Sequence, residues 1–210
     1  MLTDALWAWW RLGEQTGERQ DSSGNGRHLS DNGNVGAVPA GLGIGAVFSG
    51  TPGQYLSLAQ ALPPGSFSVA LWVQLLAAAG GPSFWSQGDG ASLQKLFCLS
   101  SNFRFATQDA TGAWSAHGPL PAPWRHVAGV YDDDLRRITL FVDGVEKGHL
   151  DGENLTAGAA ATAVGANPDG NTENLKGTVA LLGLWTRALA GDEVAELYGG
   201  GAGLDYPFAA

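Results

Sequence analysis

The sequence predicts an all-β fold, a two-sheet antiparallel sandwich or jelly roll with one short helix near the C-terminus. Glycine and proline are frequent, with 32 and 10 of the 210 residues. This composition is typical of many short strands joined by tight turns, because glycine tolerates the positive φ that hairpin turns require. Strand-like segments alternate with turn signals along the chain, and the hydrophobic period of about 3.6 residues that marks helices is absent from most of it.

The strand candidates are short apolar or alternating runs bounded by turn residues. Phe67–Leu75 is the clearest of them, because it shows a period of two: one set of alternate positions holds Phe67, Val69, Leu71 and Val73, and the other holds Ser68, Ala70, Trp72 and Gln74. A turn-rich segment and then a polar loop are predicted between the first candidate and about Gly45. In chain order the candidates are Leu6–Leu12, Gly45–Ser49, Gln54–Leu58, Phe67–Leu75, Ser83–Ser86, Leu93–Ser100, Asn102–Gln108, Gly112–His117, Trp124–Tyr131, Arg136–Val142, Val145–Leu150, Thr162–Gly165 and Lys176–Trp185.

The one predicted helix, Gly191–Leu197, carries Asp192 and Glu193 in its first turn, where carboxylates suit the helix dipole. Behind it, Gly199–Gly203 predicts a flexible link, and Leu204–Phe208 is apolar enough to dock. No fixed-period repeat or linker divides the chain. We therefore expect one domain over residues 1–210, with residues 199–210 as a C-terminal tail.

The charge of the chain excludes several classes of partner. The net charge is -9, from 20 acidic and 11 basic residues, so no basic stripe is available for phosphates and we expect no nucleic-acid binding.

No segment approaches the roughly 18 continuous apolar residues of a membrane span, so we expect no membrane insertion. The N-terminus lacks the basic region of a signal peptide. Cys98 is the only cysteine and lies in an apolar run, which predicts a buried thiol.

Several stretches, in matching order along nearly the whole chain, resemble the laminin G-like / concanavalin A-like jelly rolls of bacteria and their phages. The resemblance implies two curved antiparallel sheets, with function on the loops at one rim or on the concave face. Members are mostly non-catalytic glycan-binding modules, adhesins and domains of phage tail or capsid-surface proteins. The stretches are Trp10–Gly26, Phe48–Leu58, Phe67–Val73, Trp124–Gly144 and Gly165–Tyr198.

The same resemblance implies a calcium ion held by an early glutamate, an Asp-Ser-Ser-Gly-Asn loop and an aspartate on the closing strand. Glu14, Asp21 and Asn25 match the first two features, whereas Ala180 stands where the family has the aspartate. Calcium needs several hard oxygen ligands, and an alanine provides none. The alternative is that Asp21 and Asn25 only cap a turn. Both interpretations stay open, and Ca²⁺ is the one cofactor considered.

Aromatic, acidic and amide residues near turns are the candidates for glycan binding. Sugars stack on aromatic faces and form hydrogen bonds with Asp, Asn and Gln. Trp85 and Trp114 lie near turns, and the polar loop containing Asn167, Asp169 and Asn171 could share their rim. The alternative for both tryptophans is packing. Packing is the interpretation we favour for the tryptophans inside strand patterns, which are Trp7, Trp9, Trp72, Trp124 and Trp185.

Catalytic residues are not indicated. Glycosidases need a pair of carboxylates that flank one sugar, and no strand candidate carries two at alternate positions. Asp132–Asp134 are consecutive in a turn. The four histidines, which show no metal-ligand spacing, are His28, His117, His126 and His149. We interpret His126, in an apolar strand, as structural.

Three hypotheses for function follow. The preferred one is a non-catalytic, lectin-like binding or adhesion module that binds a surface glycan and is displayed on a virion or cell surface. The alternative is a structural virion decoration or fibre protein that acts by subunit contacts without a small ligand. A glycoside hydrolase is third. The expected partners are a surface glycan or a virion or cell-surface protein, with a homo-oligomer as a further expectation, at a virion or extracellular location.

Overall fold

The computed structural model describes residues 1–88, 93–99, 101–107, 112–116, 120, 122–153 and 161–208. Within these ranges the chain forms fifteen strands and one α-helix, α1 (Gly191–Tyr198), followed by a 3-10 turn at Gly199–Gly201. The strands are β1 (Leu6–Trp10), β2 (Ser30–Asn32), β3 (Gly36–Ala40), β4 (Gly43–Ser49), β5 (Tyr55–Leu58), β6 (Phe67–Ala77), β7 (Ser83–Gln87), β8 (Gln94–Leu99), β9 (Asn102–Thr107), β10 (Gly112–Ala116), β11 (Arg125–Asp132), β12 (Arg137–Val142), β13 (Val145–Asp151), β14 (Thr162–Val164) and β15 (Lys176–Trp185).

The strands make two antiparallel sheets. The eight-stranded sheet has the order β13-β12-β11-β6-β15-β4-β3, and β1 pairs with β15 as well. The seven-stranded sheet has the order β10-β9-β8-β7-β14-β5-β2. Neighbours in space are often distant in sequence, which is typical of a jelly roll. The predicted all-β sandwich with one short C-terminal helix is confirmed.

The core lies between the two sheets and is built by strand alternation. On β6, Phe67, Val69 and Leu71 point into this core. Ala70 and Trp72 point the other way and are buried too, in a second apolar cluster. Both faces of β6 are therefore covered, which explains why the strand is apolar on both sides.

The second cluster is closed by α1 and the C-terminal tail. Val194 and Leu197 of the helix are buried in it. The tail returns over the sheet, where the Phe208 ring packs edge-on against Trp9 with centroids 5.0 Å apart. The predicted docking of residues 204–208 is confirmed.

The polar loop predicted before Gly45 is wrong in part, because this segment contains β2 and β3. Both strands lie at the end of a sheet, where one side of the backbone is unpaired and polar or proline residues are tolerated. Ser30–Asn32 is short and polar, and β3 includes Pro39. Ser100, Gln108 and His117, predicted as strand ends, lie outside the described residues. The expectation of one domain over residues 1–210 stays a prediction.

Several residues predicted to be structural are buried. Trp7, Trp9, Trp72 and Trp185 are all in the apolar clusters, and Trp124 packs against the second cluster while half-buried. The Cys98 thiol is buried, and burial raises its pKa to about 11. None of the helices in the described ranges has the length and apolar character needed to cross a bilayer.

Candidate functional site

The outer face of the seven-stranded sheet is polar, in contrast to the apolar, covered outer face of the other sheet. A row of cross-strand partners runs over it in register: Ser30, Ser57, Ala163, Ser86, Lys95 and Ala106. Their chain neighbours Leu56 and Leu96 point into the core. Since strand residues alternate between faces, the row faces outward.

A loop formed by residues 165–174 lies over this face and is fixed to it by hydrogen bonds. The Ser86 hydroxyl donates to the carbonyl of Ala166 at 2.8 Å. The Ser83 hydroxyl donates to Glu173 Oε2 at 2.5 Å, and Lys95 Nζ pairs with Glu173 Oε1 at 2.5 Å. Glu173 has a φ of 53°, a left-handed conformation that a non-glycine residue adopts only when its surroundings hold it there.

Asp169 organises the exposed tip of the 165–174 loop. Its Oδ1 accepts hydrogen bonds from the backbone N–H groups of Asn171 and Thr172 at 2.9 and 3.1 Å. Partial burial acts to raise the pKa of Asp169, but these N–H groups and the Thr172 hydroxyl outweigh it, and the pKa lies below its usual value. Asp169 is therefore an acceptor at neutral pH.

Tyr55, which was not among the predicted site residues, lies directly beside this tip. Its ring packs so closely on Gly170 that a Cβ at that position would lie 2.2 Å from Tyr55 Cε1. The carbonyl of Gly170 also accepts a hydrogen bond from Gly53 at 2.7 Å. The signal in the sequence is the alternation of β5, in which Tyr55 and Ser57 face outward and Leu56 and Leu58 inward.

These residues form one surface, exposed at the loop and half-buried on the strands, which we call the rim patch and define as Asn32, Tyr55, Ser57, Asp169 and Asn171. Asn32 lies opposite Tyr55 in register and donates from its amide to Ser57 Oγ at 2.9 Å. The rim patch thus unites an aromatic ring, a carboxylate, amides and a hydroxyl. Asn167, the third predicted loop residue, points its Oδ1 toward the Ser83 hydroxyl at 3.4 Å, at the base of the loop.

The two tryptophans predicted near the rim are not in this patch. Trp85 is 0% exposed and lies in the core against Phe67, with centroids 5.9 Å apart. A bulge between Ser83 and Trp85 turns it inward, so the ring presents no face to a sugar. Trp114 has its backbone in β10, opposite Arg104. The Trp114 side chain lies outside the described part of the chain, and its assignment to glycan binding stays a prediction.

The predicted calcium loop is closed by its own hydrogen bonds. Four donors point at the Asp21 carboxylate: the N–H groups of Trp9, Ser23 and Arg27 and the hydroxyl of Ser23, at 2.6–3.1 Å. N–H donors at these positions would repel a cation. The arrangement of Asp21 suits the capping of a turn better than the binding of calcium.

The other calcium candidates lie around the same loop. Asn25 donates from its amide to the carbonyls of Leu6 and Trp7, both at 3.1 Å. Glu14 Oε1 accepts from Gln20 N at 2.9 Å. Ala180 is buried in the outer apolar cluster of the eight-stranded sheet.

Asn25 is tied to Asp21 through Ser23, whereas no hydrogen bond or ion pair joins Glu14 to either of them within the described ranges. Among the residues that the structure describes, no group of three or more His, Cys, Asp or Glu side chains is placed to hold a metal. Calcium at Glu14, Asp21 and Asn25 stays a prediction.

Solved structures with the same fold include the binding domains of toxins. The chain matches the binding domain of Paraclostridial Mosquitocidal Protein 1 with a TM-score of 0.72 and 15% identity, covering 94% of this chain and 52% of that one. A structure on the cell entry of botulinum neurotoxin type C, described as dependent on interaction with two ganglioside molecules, matches with a TM-score of 0.70 and 13% identity, covering 94% and 51%. The chain thus spans about half the length of these toxin domains.

A third match covers both chains almost completely. It is domain 4 of AbnA, a GH43 extracellular arabinanase from Geobacillus stearothermophilus, in complex with arabinotriose, with a TM-score of 0.68 and 21% identity over 91% of this chain and 97% of that one. The TM-scores of these matches establish a shared fold. No curated protein matches the chain in sequence. A family model for the concanavalin A-like lectin/glucanases superfamily, Laminin_G_3, matches residues 48–195, and the chain therefore belongs to this family.

Proposed function

We propose that the chain is a non-catalytic, lectin-like module that binds a neutral glycan at the rim patch. The observation that carries the proposal is the placement of the Tyr55 ring beside Asp169 and Asn171 on a loop held to the sheet by Lys95 and Ser83. Preorganised groups of this kind lower the entropy cost of binding.

Each group has a role that suits a saccharide. Asp169 accepts hydrogen bonds from sugar hydroxyls, and the amide of Asn171 both donates and accepts. The Tyr55 ring offers an apolar surface to the C–H groups of a sugar, with a hydroxyl at its edge. The net charge of -9 favours neutral over anionic ligands at this surface.

The comparisons support this proposal. The AbnA domain was solved with arabinotriose, and the botulinum neurotoxin type C structure concerns ganglioside binding. The AbnA domain gives stronger support than the neurotoxin. It was solved with a bound oligosaccharide and has nearly the same length as this chain, which covers 97% of it.

A glycan array followed by calorimetry on the best neutral ligand tests the proposal. We expect Asn171→Ala and Tyr55→Leu each to weaken binding about fivefold or more, the value of one lost hydrogen bond or ring contact. Glu196→Ala, an exposed change on α1, is the matched control and should bind as the parent does. The proposal fails if the array gives no ligand, or if both rim-patch variants bind as tightly as the parent.

The non-catalytic character is part of the proposal. No strand in the described ranges carries two carboxylates at alternate positions. Asp132 ends β11 and its Oδ1 accepts from Leu135 N, whereas Asp133 lies in the turn that follows. Release of reducing sugar from the bound oligosaccharide would overturn this and favour the glycosidase hypothesis.

We also place the module on a cell or virion surface, where glycans are met. The alternative role, a virion decoration or fibre subunit without a small ligand, predicts a stable oligomer or a complex with capsid or tail proteins. Light scattering of the purified chain gives its oligomeric state, and the glycan array gives its binding. A monomer that binds glycan supports the lectin-like role, whereas an oligomer that binds none supports the structural one.

A further inference from the structure

A cleft lies at the end of the sandwich where the two sheets meet, away from the rim patch. The strand β10 is the last of the seven-stranded sheet and β13 the last of the eight-stranded sheet, whereas β5 and β2 are at the other end. The cleft between β10 and β13 has a volume of about 460 Å³, within the range of small-ligand sites. Small residues line it, including Ala113, Ala116 and Gly148, and its polar groups come from Ser115, Lys147 and His149.

Lys147 enters this cleft because of a β-bulge. The pairing of β12 with β13 steps from Leu140–Gly148 to Phe141–Glu146, which leaves Lys147 as the extra, unpaired residue. Bulges redirect a side chain and protect a free strand edge.

The charge of Lys147 is not used inside the protein. Other cations such as Lys95, Arg137 and Arg187 pair with carboxylates, but Lys147 has none within 4.0 Å in the described ranges. In a chain with net charge -9, a lysine without an acidic partner in a cleft is a cation available to a ligand.

His149 is held in place beside Lys147. Its Nδ1 lies 2.8 Å from Glu146 Oε1 on the outer face of the eight-stranded sheet, so His149 borders the cleft with its ring turned away from it. Ser115, on the β10 side, adds a hydroxyl that donates and accepts. The cleft therefore offers one cation and one hydroxyl above small apolar residues.

We propose that this cleft binds an acidic sugar unit, with its carboxylate on Lys147 and a hydroxyl on Ser115. The inference takes its ligand class, a saccharide, from the proposed function, but it assigns a second site with a different charge preference. The small side chains leave room for a flat sugar face, and Lys147 supplies the selectivity for a carboxylate.

The test is NMR titration of the full chain with methyl β-D-glucuronide, methyl β-D-glucoside and glutarate. The glucuronide differs from the glucoside only by a carboxylate in place of the hydroxymethyl group. Glutarate has carboxylates without a sugar ring. We expect the glucuronide to perturb the amides of residues 113–116 and 147–150 and to bind about fivefold more tightly than the glucoside, the value of one partly exposed ion pair. Added salt should reduce this preference.

Variants assign the preference to one side chain. Lys147→Ala should abolish the preference for glucuronide over glucoside, and Lys147→Arg should keep it. Lys176→Ala removes another exposed lysine without a carboxylate partner in the described ranges, and it should change nothing.

The inference is overturned if neither sugar perturbs these amides, if the preference survives Lys147→Ala, or if glutarate binds as well as the glucuronide. Asn171→Ala should leave binding in the cleft unchanged. Failure at the cleft with intact binding at the rim patch would thus refute this inference and spare the proposed function.

Discussion

His126 links the stability of the protein to pH through a single buried side chain. It lies in β11 with its ring against Trp72 and Tyr198, at centroid distances of 5.5 and 6.2 Å. Its backbone N–H donates to Asp143, which pairs with Arg125. The ring is buried, with no hydrogen-bond partner for Nδ1 in the described residues, and burial lowers the pKa of His126 to about 3.

The consequence is a loss of stability in mild acid. The pKa of His126 is about 6.5 in the unfolded chain and lower in the folded one, so between these values the unfolded chain binds a proton that the folded chain does not. The contribution of neutral, buried His126 to the free energy of unfolding should therefore be present in full above pH 6.5. As this contribution is lost, the free energy of unfolding should fall by about 2 kcal/mol between pH 7 and pH 5. Urea denaturation at several pH values between 5 and 7 measures this change in the free energy of unfolding. His126→Phe should flatten this slope, whereas the exposed change His149→Gln should keep it; an unchanged slope in His126→Phe would contradict the assignment.

Asp21 allows the capping and calcium interpretations to be separated. Asp21→Asn replaces one acceptor oxygen by an NH₂ group that faces the N–H donors of Trp9 and Ser23 or of Arg27. We expect a loss of about 2 kcal/mol in the free energy of unfolding, equal with calcium and with a chelator. Asp134→Asn, in an exposed turn, is the control. A calcium-dependent stability of the parent chain that Asp21→Asn abolishes would establish the metal site instead.

Trp85 and Tyr55 show why the residues of the site were only partly predictable. The alternation of β5 indicates which side chains face outward, and Tyr55 could have been found from it. The bulge before Trp85 breaks the alternation of β7, so that Phe84 and Trp85 both enter the core. A bulge depends on the pairing with β8, which Ser83–Gln87 alone does not reveal.

Strands in the middle of the sheets were predictable, and strands at their ends were not. The burial of β6 and β11 selects apolar residues, and the resulting pattern is visible in the sequence. The strands β2 and β3 bury little and are polar or contain proline. Their backbone pairing, not their side chains, makes them strands.

The C-terminal tail is an element that stabilises the outer face of the eight-stranded sheet. The Phe208 ring contacts Trp9 and stacks at 6.5 Å on Trp185, and Arg11 pairs with Asp205 at 2.6 Å. The tail therefore covers tryptophans that would otherwise meet water.

Phe208→Ala measures this contribution. We expect it to lower the free energy of unfolding by about 2 kcal/mol, less than the loss of a fully buried phenylalanine, and to shift tryptophan fluorescence to longer wavelength as Trp9 becomes hydrated. Leu135→Ala, at a 61% exposed apolar residue, is the control and should have little effect. A variant as stable as the parent would show that the tail is only loosely attached.

The whole molecule has two different outer faces, one apolar and covered and the other polar, and the proposed binding site lies on the polar one. The helix α1 and the tail cover the apolar face of the eight-stranded sheet. The seven-stranded sheet carries the 165–174 loop and the rim patch on its polar outer face. This division follows from the order of strands, since β5, which carries part of the rim patch, and β7, which holds the 165–174 loop, come together only through the long-range pairing of both with β14. The sequence motifs therefore predict the fold better than the site.

The distance between the sheets depends on a glycine at the centre of the sandwich. A Cβ on Gly129 of β11 would lie 2.4 Å from Phe105 Cδ2 of β9 on the facing sheet, a separation that side chains do not adopt. Gly129→Ala should therefore force the sheets apart or the ring off its rotamer and cost about 3 kcal/mol. Gly41→Ala, where no atom lies within 4 Å, should be nearly neutral. The double variant Gly129→Ala with Phe105→Leu should recover part of the loss, because the two changes meet at one contact. Strict additivity in denaturant unfolding would show that the sheets do not pack through this pair.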